Sequence, residues 1–289
     1  MSNSDPPADV AWLDDAEIAR QVRDALNEDL GDGDLTAALV PADAQTTARV
    51  VARETAVLCG RRWFDEVFRQ IDSSLVIDWK LADGAALHAG ALVCELHGNA
   101  RGLLSGERTA LNFLQTLSGT ASLAARYVAA VADTSATVLD TRKTIPGLRL
   151  AQKYAVRCGG ASNHRFGLYD AILIKENHIR AAGSIGTAMR RALAGAADGV
   201  MIEVEVESLD ELRQALAAGA RRVLLDNFDN ALLREAVAVN AGRARLEASG
   251  GVNLQTIGGI AATGVDFISV GQLTKDVRAT DFSMLFAIG

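Results

Sequence analysis

Six short runs of β-branched or aliphatic residues recur through the second half of the chain. They lie at Ala136–Thr141, Ala171–Lys175, Met201–Val206, Arg221–Asp226, Arg245–Gly250 and Asp266–Gly271. Most are separated by Ala/Leu-rich stretches of helical length, such as Leu209–Ala218, Asn230–Val239 and Leu254–Thr263. Strands that alternate with helices pair in parallel through right-handed crossovers, because a tight hairpin cannot join parallel neighbours. Spacings of 20 to 35 residues between runs suit a (β/α) barrel, closed or incomplete, better than an open dinucleotide-binding sheet. No GxGxxG follows any run, which weakens the dinucleotide alternative further.

The first half reads differently. Leu13–Leu30 has helical periodicity (Ile18, Val22, Leu26, Leu30) and stops at Gly31-Asp32-Gly33. From Thr46 to Gly102, alternating runs are broken by Gly and Asp: Ala48–Val50, Ala56–Leu58, Leu75–Trp79 and Leu92–Leu96. These predict a small antiparallel β layer packed with helices. A long helix is expected over Ser105–Ala132, with Leu111, Leu114, Leu117 and Leu123 on its apolar side. The fold class is therefore α/β: a sandwich-like α+β domain over 1–115, joined by the tail 277–289, and a barrel domain over 116–276 carrying the active site.

Composition narrows the function. The 289 residues are 49% hydrophobic but only 5% aromatic, which suits helices packed closely on a parallel sheet. No apolar run approaches the roughly 18 residues that cross a bilayer, and Met1–Val10, polar with two prolines, is unlike a signal peptide. Cys59, Cys94 and Cys158 have neither a pairing number nor metal-ligand spacing, so reduced thiols in the cytoplasm are expected. A net charge of −7 argues against nucleic-acid binding, and no membrane partner is expected.

Within this acidic chain, Arg142–Arg180 is locally basic, with eight Lys/Arg against Asp170 and Glu176. His164 and His178 fall there too. Converging guanidinium and ammonium groups suit a small polyanion; the plainer alternative is a solvated basic helix face. Barrel active sites lie at the C-terminal ends of strands. The ends here are polar: Asp140-Thr141-Arg142-Lys143, Lys175-Glu176-Asn177-His178, Glu203–Glu207, Asp226-Asn227, Ser249-Gly250-Gly251 and Gly271. Glu203, Glu205 and Glu207 alternate with Val204 and Val206, turning three carboxylates to one face. Either that face is a solvated edge, or neighbouring cations or a metal such as Mg²⁺ must neutralise it, with Asp226 completing a carboxylate pair. Ser249-Gly250-Gly251 and Ser269-Val270-Gly271 stand where barrels hold phosphates on backbone N–H groups, although Ser-Gly-Gly can equally be a turn.

Several segments together closely resemble the quinolinate phosphoribosyltransferase family. These are Glu28-Asp29-Leu30-Gly31-Asp32-Gly33-Asp34-Leu35-Thr36, Gly106-Glu107-Arg108-Thr109-Ala110-Leu111-Asn112-Phe113 and Asp140-Thr141-Arg142-Lys143-Thr144-Ile145-Pro146-Gly147. Gly160-Ala161-Ser162-Asn163-His164-Arg165, Leu173-Ile174-Lys175-Glu176-Asn177-His178, Leu225-Asp226-Asn227 and Ser249-Gly250-Gly251 continue the match in order. The resemblance implies that quinolinate and phosphoribosyl pyrophosphate (PRPP) give nicotinate mononucleotide, pyrophosphate and CO2, in de novo NAD synthesis. It also implies a Mg²⁺-dependent homodimer, or higher homo-oligomer, whose sites are completed by the partner's N-terminal domain. By position, Arg142, His164, Arg165 and Lys175 would line the quinolinate pocket, with Arg108 reaching in from the partner. Lys143 would contact the phosphoribosyl donor. Glu205 and Asp226 would lie near the ribose hydroxyls and the metal, with Glu203 the alternative to Glu205. Ser249, Gly250 and Gly271 would lie near phosphate. Lys143, Glu205 and Asp226 are thus the expected catalytic residues. One departure is Lys275, where some family members have His. A Schiff-base lyase using Lys175, a related transferase with a different acceptor, and a barrel that only binds phosphorylated ligands are the rival readings.

Overall fold

The computed structural model describes residues 10–287. The sequence expectation for Met1–Val10 therefore falls, but for Val10, outside the described residues, as do the last two residues of the 277–289 tail. Two compact units separate: Met1–Ala125, Ile145–Gly160 and Asp276–Gly289 form one, and Arg126–Thr144 with Ala161–Lys275 the other. Among the described residues no helix is long and apolar enough to cross a membrane.

In the first unit, helix α1 (Asp15–Leu30) starts where the Asp14 carboxylate accepts the Ala16 N–H at 2.9 Å and ends at Gly31. Its Ile18, Val22 and Leu26 recur every fourth residue and are buried together. Strands β1 (Gln45–Ala52), β3 (Val76–Trp79) and β5 (Leu92–Asn99) pair antiparallel with the last strand, β12 (Phe282–Phe286), in the order β12-β1-β5-β3. β2 (Ala56–Val57) and β4 (Ala86–Leu87) make a separate ribbon. Ala48, Val50 and Ala52 alternate inward, the period of two expected of a sheet with one buried face. They share a core with Trp63, Phe64 and Phe68 of α2 (Arg61–Ile71) and with Leu103, Leu111 and Leu114 of α3 (Ala100–Ala129).

Residues 145–160, placed by sequence in the barrel domain, belong to this unit because α4 (Arg149–Cys158) is anchored in its core. Tyr154 of α4 donates to Asp83 Oδ2 at 2.8 Å, while Asp83 Oδ1 accepts the Gly60 N–H at 3.1 Å and the Arg61 N–H at 3.3 Å. Burial pushes the Asp83 carboxyl and the Cys59 thiol up from their usual ranges. Cys59, Asp83 and Cys158 place ligand atoms within 4.8 Å of one another, a proximity that sequence spacing hid. Both Asp83 oxygens are already committed, so this cluster serves as a joint between α2 and α4.

Close approach also governs α3. A Cβ at Gly119 would stand 2.1 Å from the Arg278 carbonyl oxygen. Gly119→Ala gains about 1 kcal/mol of helix propensity, but the clash with backbone costs about 1–3 kcal/mol and wins. The expected outcome is a lower urea midpoint with an unchanged m-value.

The second unit is a parallel sheet of β6 (Thr137–Leu139), β7 (Ala171–Ile174), β8 (Met201–Val206), β9 (Arg222–Asp226), β10 (Arg245–Ser249) and β11 (Phe267–Ser269). Their order is β6-β11-β10-β9-β8-β7. Helices α5 (Glu176–Ala182), α6 (Ile185–Gly195), α7 (Leu209–Ala217), α8 (Asn230–Asn240) and α9 (Ile257–Ala261) occupy the crossovers, and α10 (Gln272–Lys275) follows β11. Val204, Val206, Val223 and Leu225 are fully buried on one face. Glu203, Glu205, Arg222, Leu224, Asp226, Glu247 and Ser249 alternate with them and take the other. The barrel is incomplete: among the described residues no ladder joins β6 to β7. Beside β6 runs a non-strand segment, held by the Leu139–Ser162 bridge and by Asp140, which accepts the His164 N–H and the Asn163 amide.

Candidate active site

The C-terminal strand ends surround a cavity of about 340 Å³ in the second unit. Eight of the residues singled out from sequence line it: Arg142, Lys143, His164, Arg165, Lys175, Glu205, Asp226 and Ser249. Gly250 and Gly271 do not. Gly250 follows Ser249 at φ 96°, and a Cβ there would stand 2.1 Å from Asn227 Oδ1, so the loops after β9 and β10 can meet only with glycine. Gly271 packs on Lys143, its notional Cβ 3.2 Å from the lysine Cδ. Arg108 is exposed on α3 in the first unit and is not among the lining residues. Lys275, at the end of α10, is exposed and does not line the cavity either.

Strand register explains which glutamate reaches the cavity. Glu205 pairs with Leu224, one inward position below Asp226, and Asp226 pairs with Ser249. Glu205 therefore opens to the cavity, Glu203 lies beneath it fully buried, and Glu207, beyond the strand, is exposed. Lys175 Nζ pairs with Glu205. His178 does not reach the cavity; its Nδ1 accepts the Lys175 N–H at 2.9 Å, holding the start of α5 and the backbone that carries Lys175. Thr141, Glu247 and Ser269 also line the cavity; Thr141 and Ser269 stood in the polar strand-end segments without a role of their own, and Glu247 was missed. Their signal was parity, since Glu247 and Ser269 face the same side as Ser249.

Charge is partitioned within the site. Burial, and then the adjacent Arg142 charge, push Arg165 below its usual range, so the cationic wall stands ready for an anion. Burial, and then the Glu205 charge, push Asp226 up, with Lys175 and Lys143 opposing. A larger cavity in the first unit, about 440 Å³, is lined by Asp24, Glu28 and Asp29 around Arg20, the wrong sign for an anion. Because its folded value is raised, Asp226 destabilises the fold above the ordinary aspartate range, and the penalty vanishes as pH falls through the folded value. Asp226→Asn keeps an acceptor for the Asn227 amide (2.7 Å) while removing that charge. The variant should unfold at slightly higher urea at neutral pH, by less than about 1 kcal/mol after solvent screening, and match the wild type in acid.

An incomplete parallel barrel with cations and a carboxylate pair at its strand ends has the build of an enzyme acting on small phosphorylated anions. The chain belongs to the quinolinate phosphoribosyl transferase family, whose N-terminal domain matches residues 34–118 and C-terminal domain residues 120–285. It is 43% identical over 257 residues to the "Probable nicotinate-nucleotide pyrophosphorylase [carboxylating]" of Bacillus subtilis, covering 89% of each chain. It is 38% identical over 299 residues to the "Quinolinate phosphoribosyltransferase [decarboxylating] 2b, mitochondrial" of Nicotiana tabacum, covering 96% of this chain and 84% of that protein. The solved nicotinate-nucleotide pyrophosphorylase of Francisella tularensis superposes with a TM-score of 0.94 at 47% identity, covering 96% of this chain and 99% of that one.

Proposed function

We propose that this chain transfers the phosphoribosyl group of PRPP to quinolinate with decarboxylation, yielding nicotinate mononucleotide, pyrophosphate and CO2 for de novo NAD synthesis. The observation that carries it is the convergence of Arg142, Lys143, Arg165 and Lys175 on one cavity that also holds Glu205 and Asp226. Quinolinate has two adjacent carboxylates, which Arg142, Arg165 and Lys175 bind by charge-assisted hydrogen bonds. Lys143, beside Gly271, meets the pyrophosphate. Loss of pyrophosphate leaves an oxocarbenium-like ribose that Glu205 and Asp226 stabilise electrostatically. Ribosylation makes the ring nitrogen cationic, and that charge stabilises the electron pair left on the adjacent carbon when its carboxylate departs as CO2; a proton from water then takes that pair. No enzyme nucleophile is needed, and Lys175, committed to Glu205, acts as a binding cation rather than a Schiff-base amine.

The donor set fits Mg²⁺: two neighbouring carboxylates, Asp226 raised by burial and then by Glu205, are the oxygen ligands this ion takes beside substrate phosphates. Glu205 and Asp226 would hold it, and it would neutralise charge on the departing pyrophosphate. The functional form is a cytoplasmic homodimer or larger homo-oligomer, with Arg108 supplied to the partner's site.

Pyrophosphate release from PRPP and Mg²⁺ tests the reaction. Quinolinate should support turnover with equimolar CO2, and nicotinate should be poorer by at least about a thousand-fold, because it leaves cations of the pocket without their carboxylate. Release without CO2, or equal use of nicotinate, would move the acceptor elsewhere. For Arg108, mixing inactive Arg108→Ala and Lys143→Ala proteins should restore about a quarter of wild-type activity per site pool by random reassortment. Two pools that stay inactive after subunit exchange would place Arg108 outside the partner's site.

A further inference from the structure

Along and below the cavity floor runs a continuous hydrogen-bonded chain that the proposed chemistry does not use. Ser269 Oγ donates to Glu247 Oε1, and Arg222 forks between the two carboxylates, Nη2 to Glu247 Oε2 and Nε to Glu203 Oε1 at 3.0 Å. Glu203 Oε2 meets His164 Nε2 at 2.9 Å. His164 Nδ1 in turn accepts the Arg165 N–H at 2.7 Å. A backbone N–H can only donate, so Nδ1 is unprotonated and the ring proton sits on Nε2, pointing down at Glu203. His164 thus lines the cavity with both ring nitrogens already engaged by protein groups, one of them the backbone of its neighbour.

That neighbour is Arg165, whose guanidinium burial and Arg142 both disfavour, and whose Nη1 is tied to the Ala171 carbonyl at 3.2 Å. A cation in such a place must be held there by its backbone. Apolar side chains would fill the floor at lower desolvation cost, so a charged chain ending on the Arg165 amide points to positioning.

We propose that Arg222, by bridging Glu203 and Glu247, is a positioning residue that locks His164 as its Nε2–H tautomer and thereby sets Arg165 against the acceptor's carboxylates. The inference rests on the proposed reaction. Phe267 stacks on the Arg222 guanidinium at 4.2 Å and fixes its plane, so the fork cannot be reproduced by an ammonium.

The test uses Arg222→Lys in the full-length protein, with Glu247→Gln as a second variant in case the first folds poorly. Steady-state kinetics with PRPP, Mg²⁺ and quinolinate should show KM for quinolinate raised about ten-fold or more, with kcat and KM for PRPP within about two-fold of wild type. The ¹⁵N NMR spectrum of His164 should show only the Nε2–H form in the wild type and a mixture in either variant. Turnover and thermal stability falling together at unchanged KM for quinolinate would mean a merely structural role and overturn the inference. A wild-type spectrum with protonated Nδ1 would overturn it too. A wild type inactive with quinolinate would sink the reaction itself, and the tautomer spectra would still decide whether Arg222 locks His164.

Discussion

Glu203 and Glu247 are both fully buried on the inner face of the parallel sheet, and the Arg222 fork between them is the interaction on which the site depends. Each buried ion forfeits several kcal/mol of hydration, and deleting one partner of such a pair costs about 3–5 kcal/mol because a bare charge is left behind. His164, and after it the Arg222 fork, keep Glu203 below the usual carboxylate range despite burial, whereas burial, and then the Glu203 charge, push Glu247 up. An interior ordered this way presents a rigid floor. Of the cavity's cations, Arg165 is tied to that floor through His164.

The parallel topology converts this floor into a site. All six strands point the same way, so each inward row repeats at the next level with a residue of its own. The depth of Glu203, the cavity level of Glu205 and the exposure of Glu207 follow from a two-residue step of about 6–7 Å along one strand. Cations come from the chain segments after β6 and β7 and from the segment that leans on β6, carboxylates from the ends of β8 and β9. Because the pieces are remote in sequence but fixed by register, cations and carboxylates meet in one cavity, where Lys175 pairs with Glu205. The glycine at 250 and the left-handed Asn227 beside it, at φ 58°, let two strand ends come close without a side chain between them.

Much of this was legible beforehand. All six runs became the strands β6 to β11 within a few residues, since each combines aliphatic or β-branched residues with a turn at its end. The basic segments could be assigned to one pocket because barrel strand ends converge. What escaped was pairing across strands. His164 and Glu203 are 39 residues apart, and Arg222 and Glu247 are 25 apart; no local pattern marks them as partners. Cys59 and Cys158 met for the same reason, through the packing of α2 and α4. The segment 145–160 escaped because its helix carries no sign of which core it will join.

Taken alone, the amino-acid sequence determined the alternation of strands and helices, the polar character of the strand ends, and the family to which the chain belongs. These are written in residue type and spacing along the chain, where propensity and periodicity act locally. Tertiary structure decided that Glu205 rather than Glu203 faces the cavity, that among the described residues no ladder joins β6 to β7, and that cavity-lining His164 is hydrogen-bonded to Glu203. Those outcomes depend on strand register and on which buried charges find a partner. Both are settled only when segments tens of residues apart are brought within hydrogen-bonding distance.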